Sequence, residues 1–231
     1  MNNNNYFDFM GKAICKKLKE KMPNGLRNSL SPVIFEIKAV IKHSKGRREA
    51  KKYSGMLLKL NIGCGDNTKD DYVNIDYSCK KCLHLDLRES LPFDDQSVSI
   101  VYSEHFLEHL LEQYALQFLR ESYRILIPGG LFSVGVPDGQ VLLESYANGQ
   151  EIKDFKILDL PDVFPGNPTR MQIVNLMFRG FGHKYMYDYE TLQRILTSIG
   201  FTNIYKRSFD PSIDSEQRRD WTIYVDAYKP K

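Results

Sequence analysis

The stretch from Leu57 to Asp76, which decides the fold, reads Leu-Leu-Lys-Leu-Asn-Ile-Gly-Cys-Gly-Asp-Asn-Thr-Lys-Asp-Asp-Tyr-Val-Asn-Ile-Asp. Its apolar start ends abruptly at Gly63 and Gly65, as a buried parallel strand ends in a tight turn built from glycines. A side chain at either glycine would hold a ligand away from the backbone, so the pair predicts a ligand lying directly on the main chain. A second short strand then delivers Asp76, whose carboxylate can accept hydrogen bonds from both hydroxyls of a ribose.

Alternating strands and helices continue from this stretch as an α/β pattern. We expect strands at 57–62, 73–75, 83–85, 98–102, 131–136, 202–207 and 221–228, and helices at 112–126, 140–147, 171–178 and 189–199. Asp188 caps the last helix and Gly200 stops it. A crossover helix needs at least about a dozen residues, more than the sequence leaves between Gly65 and Asp76. The first connections are therefore expected to be turns.

The ordered motifs Gly63-Cys64-Gly65, Asp76, Asp86 and the Pro-Gly-Gly turn at 128–130 resemble those of class I S-adenosylmethionine-dependent methyltransferases. More narrowly, the sequence resembles the methyltransferase type 11-like branch associated with bacterial surface polysaccharide synthesis, which has the same shortened connections. The resemblance implies a Rossmann-like α/β fold with a seven-stranded methyltransferase sheet and abbreviated first crossovers. It implies a methyltransferase domain at 56–231, with a lid insertion at about 139–186 after strand 5. Residues 1–55, to which the resemblance does not extend, are expected from their charge and helical spacing to form a basic helical N-terminal extension.

The same resemblance implies which residues hold S-adenosyl-L-methionine. Gly63 and Gly65 pass beneath its methionine part, Asp86 accepts a hydrogen bond from the adenine amino group, and the Leu87 amide meets a ring nitrogen. The full implied set is Asn61, Gly63, Cys64, Gly65, Asp76, Asp86, Leu87 and Ser103. Asn61 stands where the family usually has an acidic residue and brings no charge. Asp86 has the alternative interpretation of a turn-capping aspartate.

A nucleotide-binding dehydrogenase is the main competing interpretation of the glycine pair. Its fingerprint needs a third glycine, but Thr68 stands at that position. It also needs a helix to receive a pyrophosphate, and none is predicted directly after the turn. Both differences favour the methyltransferase interpretation.

Three histidines are candidates for the base that a hydroxyl acceptor requires. His105 lies closest to the end of strand 4 and is the first choice, followed by His109 and by His183 in the segment that the resemblance places at the return of the lid. His109 and His183 have structural interpretations of equal weight. The sequence thus predicts methyl transfer to a hydroxyl of a small-molecule or carbohydrate-type acceptor. The alternative is a non-catalytic S-adenosylmethionine-binding partner or scaffold in surface-glycan assembly, suggested by Asn61 and by the absence of an unmistakable base.

The composition and the absence of two motifs limit the classes of binding partner that the sequence predicts. Neither the Asn/Asp-Pro-Pro-aromatic sequence of DNA amino-methyltransferases nor a Pro-Cys nucleophile follows strand 4, which argues against a nucleic-acid substrate. Residues 1–55 contain 13 Lys/Arg and 4 Asp/Glu, whereas the remainder contains 19 and 25. The amphipathic pattern in residues 6–22 suggests either peripheral membrane contact or packing on the catalytic body. No leader or membrane-spanning run is recognised, so we expect a cytoplasmic location, with membrane contact at the inner face.

The four cysteines are expected to be thiols, as is usual in a cytoplasmic chain. Cys79 and Cys82 have the spacing of zinc ligands, but no second pair follows in the sequence, and a disulfide ranks lower still. No metal site is predicted.

Overall fold

The computed structural model describes residues 23–149 and 168–231, in which helices and strands alternate as an α/β fold. The elements are α1 (Asn24–Ala50), β1 (Leu58–Ile62), β2 (Val73–Ile75), β3 (Val98–Glu104), α2 (Glu112–Ile125), β4 (Leu126–Pro137), α3 (Gly139–Ala147), α4 (Arg170–Arg179), α5 (Tyr189–Ile199), β5 (Thr202–Arg207) and β6 (Thr222–Tyr228). The chain separates into two units, Met1–Lys42 and His43–Lys231, and the whole sheet belongs to the second. Within the described ranges, every helix is too short or too polar to cross a bilayer.

The strands form one sheet in the order β2-β1-β3-β4-β6-β5. The first four strands are parallel, and β6 runs antiparallel to both of its neighbours. The predicted fold class is therefore confirmed, but the predicted count of seven strands is wrong. The segment expected as strand 3 pairs with β2 only at the bridge between Ile75 and Leu83, because a tight turn at residues 76–82 brings the chain back for a single pair.

The abbreviated crossovers are confirmed. Residues 63–72, all of which the structure describes, join β1 to β2 without a helix. The turn is held by the amides of Gly63 and Cys64, which both donate to the Ile75 carbonyl, at N···O distances of 2.8 and 3.3 Å. Because no helix intervenes, the loop after β1 lies directly against the end of β2.

One face of the sheet is apolar and supports the main core. Side chains alternate along a strand, so Phe132, Val134 and Val136 of β4 share a face. Phe132 packs near Phe118 of α2 and Phe201, with ring centroids 6.5 and 5.4 Å apart. All of these side chains belong to one buried cluster that also includes residues of α5. Helices α2 and α5 therefore bury this face.

The opposite face is polar and is covered by the chain between β5 and β6. Tyr102, Ser133 and Asp226 lie side by side across β3, β4 and β6. Tyr102 donates to Asp214 in the covering segment, with an O···O distance of 2.9 Å. Arg207 binds Asp214 with two nitrogens, at 2.5 and 2.7 Å, and Asp226 with its Nε at 3.1 Å. A buried hydrogen-bonded network thus lies between this face of the sheet and the chain that covers it.

The helix ends follow the expected chemistry. The Asp188 carboxylate accepts from the Thr191 amide at 2.8 Å at the start of α5, and Gly200 ends that helix with φ of +116°. Strand β4 starts at Leu126, earlier than predicted, because Gly129 and Gly130 pair with the backbone of Lys229. The Pro-Gly-Gly segment therefore belongs to a strand rather than to a free turn.

The insertion after β4 is described in two pieces. Helices α3 and α4 confirm the two helices predicted there, and they share a small core of Leu142, Ile173 and Met177. Residues 150–167, which include most of the predicted loop at 159–168, lie outside the described residues, as does the predicted helix within residues 6–22.

Candidate functional site

The glycine turn after β1 combines close packing with open space. Gly63 and Gly65 have φ of +67° and +52°, a region that favours glycine. A Cβ on Gly63 would lie 2.3 Å from the Phe106 ring, so the protein itself occupies the space beside that residue. A Cβ on Gly65 would have no atom within 4 Å. Only the Gly65 side of the turn therefore offers bare main chain to a ligand.

Asp76 is joined to this turn through hydrogen bonds. Its Oδ2 accepts from the Gly65 amide at 3.0 Å, and its Oδ1 accepts from the Ser78 amide, the Ser78 hydroxyl and the Cys79 amide at 2.6, 2.8 and 3.1 Å. Burial raises the pKa of Asp76, but these hydrogen bonds outweigh burial and leave the pKa below its usual value. Among the described residues, Oδ2 accepts a hydrogen bond from Gly65 alone, so the carboxylate can still accept a ribose hydroxyl.

Asn61 and Ser103 occupy buried positions on neighbouring strands. The Asn61 amide nitrogen donates to the Asn67 carbonyl and to the Asn74 side chain, both at 2.8 Å. Asn61 therefore holds the loop that follows the glycine turn. Ser103 is fully buried in β3, and its hydroxyl forms no hydrogen bond with any residue that the structure describes.

Asp86 and Leu87 follow the bridge at Leu83. The Asp86 carboxylate binds the Arg88 side chain at 2.7 and 2.9 Å, and the Asp86 amide donates to His43 Nδ1 at 3.1 Å. Burial raises the pKa of Asp86, but Arg88 outweighs burial and lowers it overall. Leu87 is buried. An adenine group would have to share Asp86 with Arg88.

The cysteines differ from the expectation of free thiols. Cys79 and Cys82 form a disulfide, because the turn after Asp76 brings their Cα atoms to 5.5 Å. Cys64, between the two glycines, is a buried thiol with its Sγ 3.3 Å from that of Cys82. Burial raises the pKa of Cys64 to about 11, so this group is a thiol rather than a thiolate at neutral pH. Sequence spacing alone did not show that Cys64 approaches the pair.

The three candidate histidines meet around Glu108, in the short helical turn Leu107–His109 after β3. The Glu108 Oε1 lies 3.5 Å from His105 Nδ1, 3.9 Å from His109 Nε2 and 3.9 Å from His183 Nε2. The Glu108 side chain is fully buried, and burial raises its pKa to about 8. The sequence analysis assigned no role to Glu108. The repeated Glu-His pair at 104–105 and 108–109 was the available signal, whereas the approach of His183 depends on the fold.

The three histidines differ in access. His105 has φ of +52°, and its Nε2 lies 2.7 Å from the Thr222 hydroxyl. Burial lowers its pKa to about 3. The His183 side chain is 4% exposed, whereas that of His109 is 36% exposed. Of the three rings, His109 is the one that solvent reaches most easily.

A polar cavity of about 500 Å³ opens beside the loop that follows the glycine turn. It is lined by residues 67–72 of that loop, by Lys59, by Glu104 at the end of β3, and by residues 212–215. Glu104 accepts from the Ser215 amide at 3.0 Å and faces Arg218 at 3.4 Å. Glu104 thus lines the cavity and directly precedes His105 in the sequence, whereas none of the three histidines is a lining residue.

Comparison with known proteins agrees with this arrangement. A family model described as a methyltransferase domain matches residues 66–134. A probable S-adenosylmethionine-dependent methyltransferase from Mycolicibacterium smegmatis is 32% identical over 98 residues, which are 34% of this chain and 37% of that protein. The segment that follows the glycine turn is therefore similar to S-adenosylmethionine-dependent methyltransferases. The chain matches little more than a third of the length of this curated relative.

Solved structures resemble this chain more distantly. A possible exported protein from Bordetella parapertussis is 14% identical with a TM-score of 0.49, covering 82% of this chain and 67% of that chain. A SAM-dependent methyltransferase from Archaeoglobus fulgidus is 16% identical with a TM-score of 0.45, covering 83% and 94%. At these scores neither carries an argument about function.

The residues at the turn between β1 and β2 fit S-adenosylmethionine. The open side of Gly65 and the free lone pair of Asp76 Oδ2 lie together, joined by one hydrogen bond. Both follow the carboxyl ends of adjacent parallel strands, where open α/β sheets bind ligands. When bound, this cofactor supplies an electrophilic methyl group.

Proposed function

We propose that the chain transfers a methyl group from S-adenosylmethionine to a hydroxyl of a small-molecule or carbohydrate-type acceptor. The observation that carries this proposal is the bond between the Gly65 amide and Asp76, with open space on the far side of Gly65. It joins the two features that a nucleoside-bearing cofactor needs, a bare main chain and a carboxylate for ribose. Residues 61, 64, 65, 76, 86, 87 and 103 are the proposed cofactor set, and Gly63 is proposed to shape the turn against Phe106 rather than to contact the cofactor.

The polar cavity supports a hydroxylated acceptor. Its lining includes Lys69, Asp70, Asp71 and Ser212, which together offer donors and acceptors of hydrogen bonds. Tyr102 supplies an aromatic ring nearby, but its hydroxyl is bound to Asp214 and its ring is buried. Hydrogen bonding rather than stacking is therefore proposed to orient the acceptor.

We propose His109 as the base because its ring is the most accessible of the three to an acceptor. Its ring is partly exposed, whereas the His105 ring is held at one nitrogen by Thr222 and faces Glu108 with the other. Orientation of the reactants can supply about 7–11 kcal/mol of the barrier, and a histidine base a further factor of roughly 10²–10⁴. His105 and His183 are proposed to position the cluster.

Cofactor binding tests the proposal directly. Calorimetry of the full chain with S-adenosylmethionine and S-adenosylhomocysteine is expected to show binding, and Asp76→Ala to weaken it by about 1–3 kcal/mol through the lost charged hydrogen bonds. Asp66→Ala is the matched control, because Asp66 is exposed in the same loop. A folded wild-type chain that binds neither compound would contradict the proposal.

Incubation of labelled cofactor with cell extract identifies the acceptor. Label in a hydroxylated small molecule or glycan fraction is expected. Cofactor binding without transfer across a broad acceptor panel would instead favour the scaffold function in surface-glycan assembly. Asn61 is the observation behind that alternative, since its amide is committed to Asn67 and Asn74 and brings no charge to the site.

A role in surface polysaccharide synthesis at the inner face of the membrane is part of the same proposal. It rests on the resemblance and on the basic residues 6–22, which lie outside the described residues. Sedimentation of the full chain with anionic vesicles is expected to decrease when Lys16, Lys17 and Lys19 are changed to Glu. Unchanged sedimentation would remove membrane contact from the proposal and leave the cytoplasmic location.

A further inference from the structure

Glu108 presents a buried carboxylate to two imidazoles at nearly equal distances. Its Oε1 lies 3.9 Å from Nε2 of both His109 and His183. The ligand atoms of these three residues all lie within 4.8 Å of one another. Ligands about 2.0–2.2 Å from a tetrahedral metal ion are separated by roughly 3.4 Å, so small rotations would bring the three together around one ion.

A hydrogen bond to the His183 ring fixes which of its nitrogens faces Glu108. His183 Nδ1 lies 2.6 Å from the Met177 carbonyl, which can only accept, so Nδ1 carries the proton. In the neutral ring, the Nε2 lone pair then points toward Glu108. His109 also directs its Nε2 toward Glu108, at 3.9 Å from Oε1. An imidazole held through Nδ1 by a backbone carbonyl is the usual arrangement of a metal-binding histidine.

The carboxylate lacks the partners that a buried acid needs. Among the residues that the structure describes, no hydrogen bond reaches either Oε1 or Oε2 of Glu108, although its side chain is fully buried. Buried carboxylates are normally paired or coordinate a metal, because an unpaired one carries a large desolvation cost. Lone pairs on nitrogen and oxygen facing one another are unfavourable alone and favourable around a cation.

The backbone holds the cluster in place. The Glu108 carbonyl accepts from the Lys184 and Tyr185 amides at 2.7 and 3.2 Å, which attaches the segment carrying His183 to the turn carrying Glu108. The rings of His109 and His183 pack edge to face with centroids 4.9 Å apart. Residues distant in sequence are therefore fixed together by main-chain bonds.

We propose that Glu108, His109 and His183 form a binding site for a divalent transition-metal ion of the zinc class. Two imidazoles and one carboxylate suit Zn²⁺ and neighbouring first-row metals better than Mg²⁺ or Ca²⁺. Three protein ligands leave a fourth position, as in catalytic rather than structural zinc sites. The partly exposed His109 gives that position a route to solvent. The site goes beyond the proposed methyl transfer: in the zinc-bound chain His109 is a ligand and does not act as the base, and zinc binding is measured without the cofactor.

Zinc titration of the purified full chain tests this site. We expect one Zn²⁺ per chain by calorimetry, with elemental analysis after gel filtration as an independent count. The experiment is done without reductant, so that Cys79 and Cys82 stay paired. Glu108→Gln and His109→Ala are each expected to weaken binding by about 100-fold or more, because each removes one of three ligands. Circular dichroism checks that each variant is folded. If Glu108→Gln does not fold, His109→Ala still tests the site, because His109 is partly exposed and its replacement disturbs the core less.

Controls separate this site from the cysteine group at Cys64, Cys79 and Cys82. Cys64→Ser and His84→Gln, both outside the cluster, are expected to leave zinc affinity unchanged. Cobalt substitution should give visible absorption typical of nitrogen and oxygen ligands, without sulfur-to-metal charge-transfer bands. The proposal is overturned by absence of zinc binding, by equal affinity in folded His109→Ala and wild type, or by loss of binding in Cys64→Ser.

Discussion

Gly63 and Gly65 show how two residues of one turn can serve different purposes. Both have positive φ, but Gly63 lies against Phe106, whereas Gly65 borders open space. The sequence predicted ligand contact for both. The structure assigns close packing to Gly63 and leaves the ligand side to Gly65, a distinction that depends on where Phe106 lies and that spacing alone could not supply.

Alanine substitutions are expected to separate the two roles. Gly65→Ala should cost about 1–2 kcal/mol of stability from its positive φ and weaken S-adenosylmethionine binding. Gly63→Ala should add about 1–3 kcal/mol more because its Cβ would collide with Phe106. Gly55→Ala is the matched control, with φ of +77° and no atom near its Cβ. Urea unfolding and calorimetry measure both effects, and equal loss of stability at Gly63 and Gly55 would contradict this assignment.

At the scale of elements, the strands and helices near the glycine turn were predictable because their patterns are local. β2 and β5 have the predicted bounds, and α5 begins and ends at its predicted cap and glycine. The sequence did not predict that the chain between β5 and β6 covers the polar face of the sheet. Arg207 and Asp214 lie in a strand and a loop whose sequences show no pairing signal, and Asp214 approaches Tyr102 across 112 positions of chain. Such contacts are set by topology.

The ion pair between Arg207 and Asp214 is expected to stabilise the polar face. Their side chains are 12% and 0% exposed, so Asp214→Asn removes one of the two buried carboxylates that bind Arg207 and should lower the free energy of unfolding by about 1–3 kcal/mol. Glu216→Ala removes a pair whose side chains are 57% and 68% exposed and should change it by less than about 0.5 kcal/mol. Denaturant titration measures both. Similar small losses in the two variants would show that the buried network is not stabilising.

At the scale of the whole molecule, the class of the fold and its cofactor followed from motif order, whereas the histidine cluster did not. His105, His109 and His183 were each named as candidates from their places in the chain. Their convergence on Glu108 requires the segment after α4 to return to the end of β3, which no local pattern encodes. The disulfide was misjudged for a similar reason, since the turn after Asp76 was unknown.

Hydrogen exchange is expected to follow the sheet order. Amides of β3 and β4, which have strands on both sides, should exchange most slowly, and those of the edge strands β2 and β5 fastest among the strands. Added S-adenosylmethionine should slow exchange in residues 63–79, where the Gly65 and Ser78 amides bind Asp76. Mass spectrometry of peptide fragments measures this, and uniform protection of all six strands would contradict it.

The hydrogen-bonded polar face of the sheet also restricts which substitutions this sequence can accept as it diverges. On the packed side, one aliphatic residue can replace another of similar volume with little effect on its neighbours. Asp214 accepts from both Tyr102 and Arg207, so replacing any of the three removes a hydrogen-bond partner in the interior. Descendants of this chain should therefore keep all three or exchange them in concert.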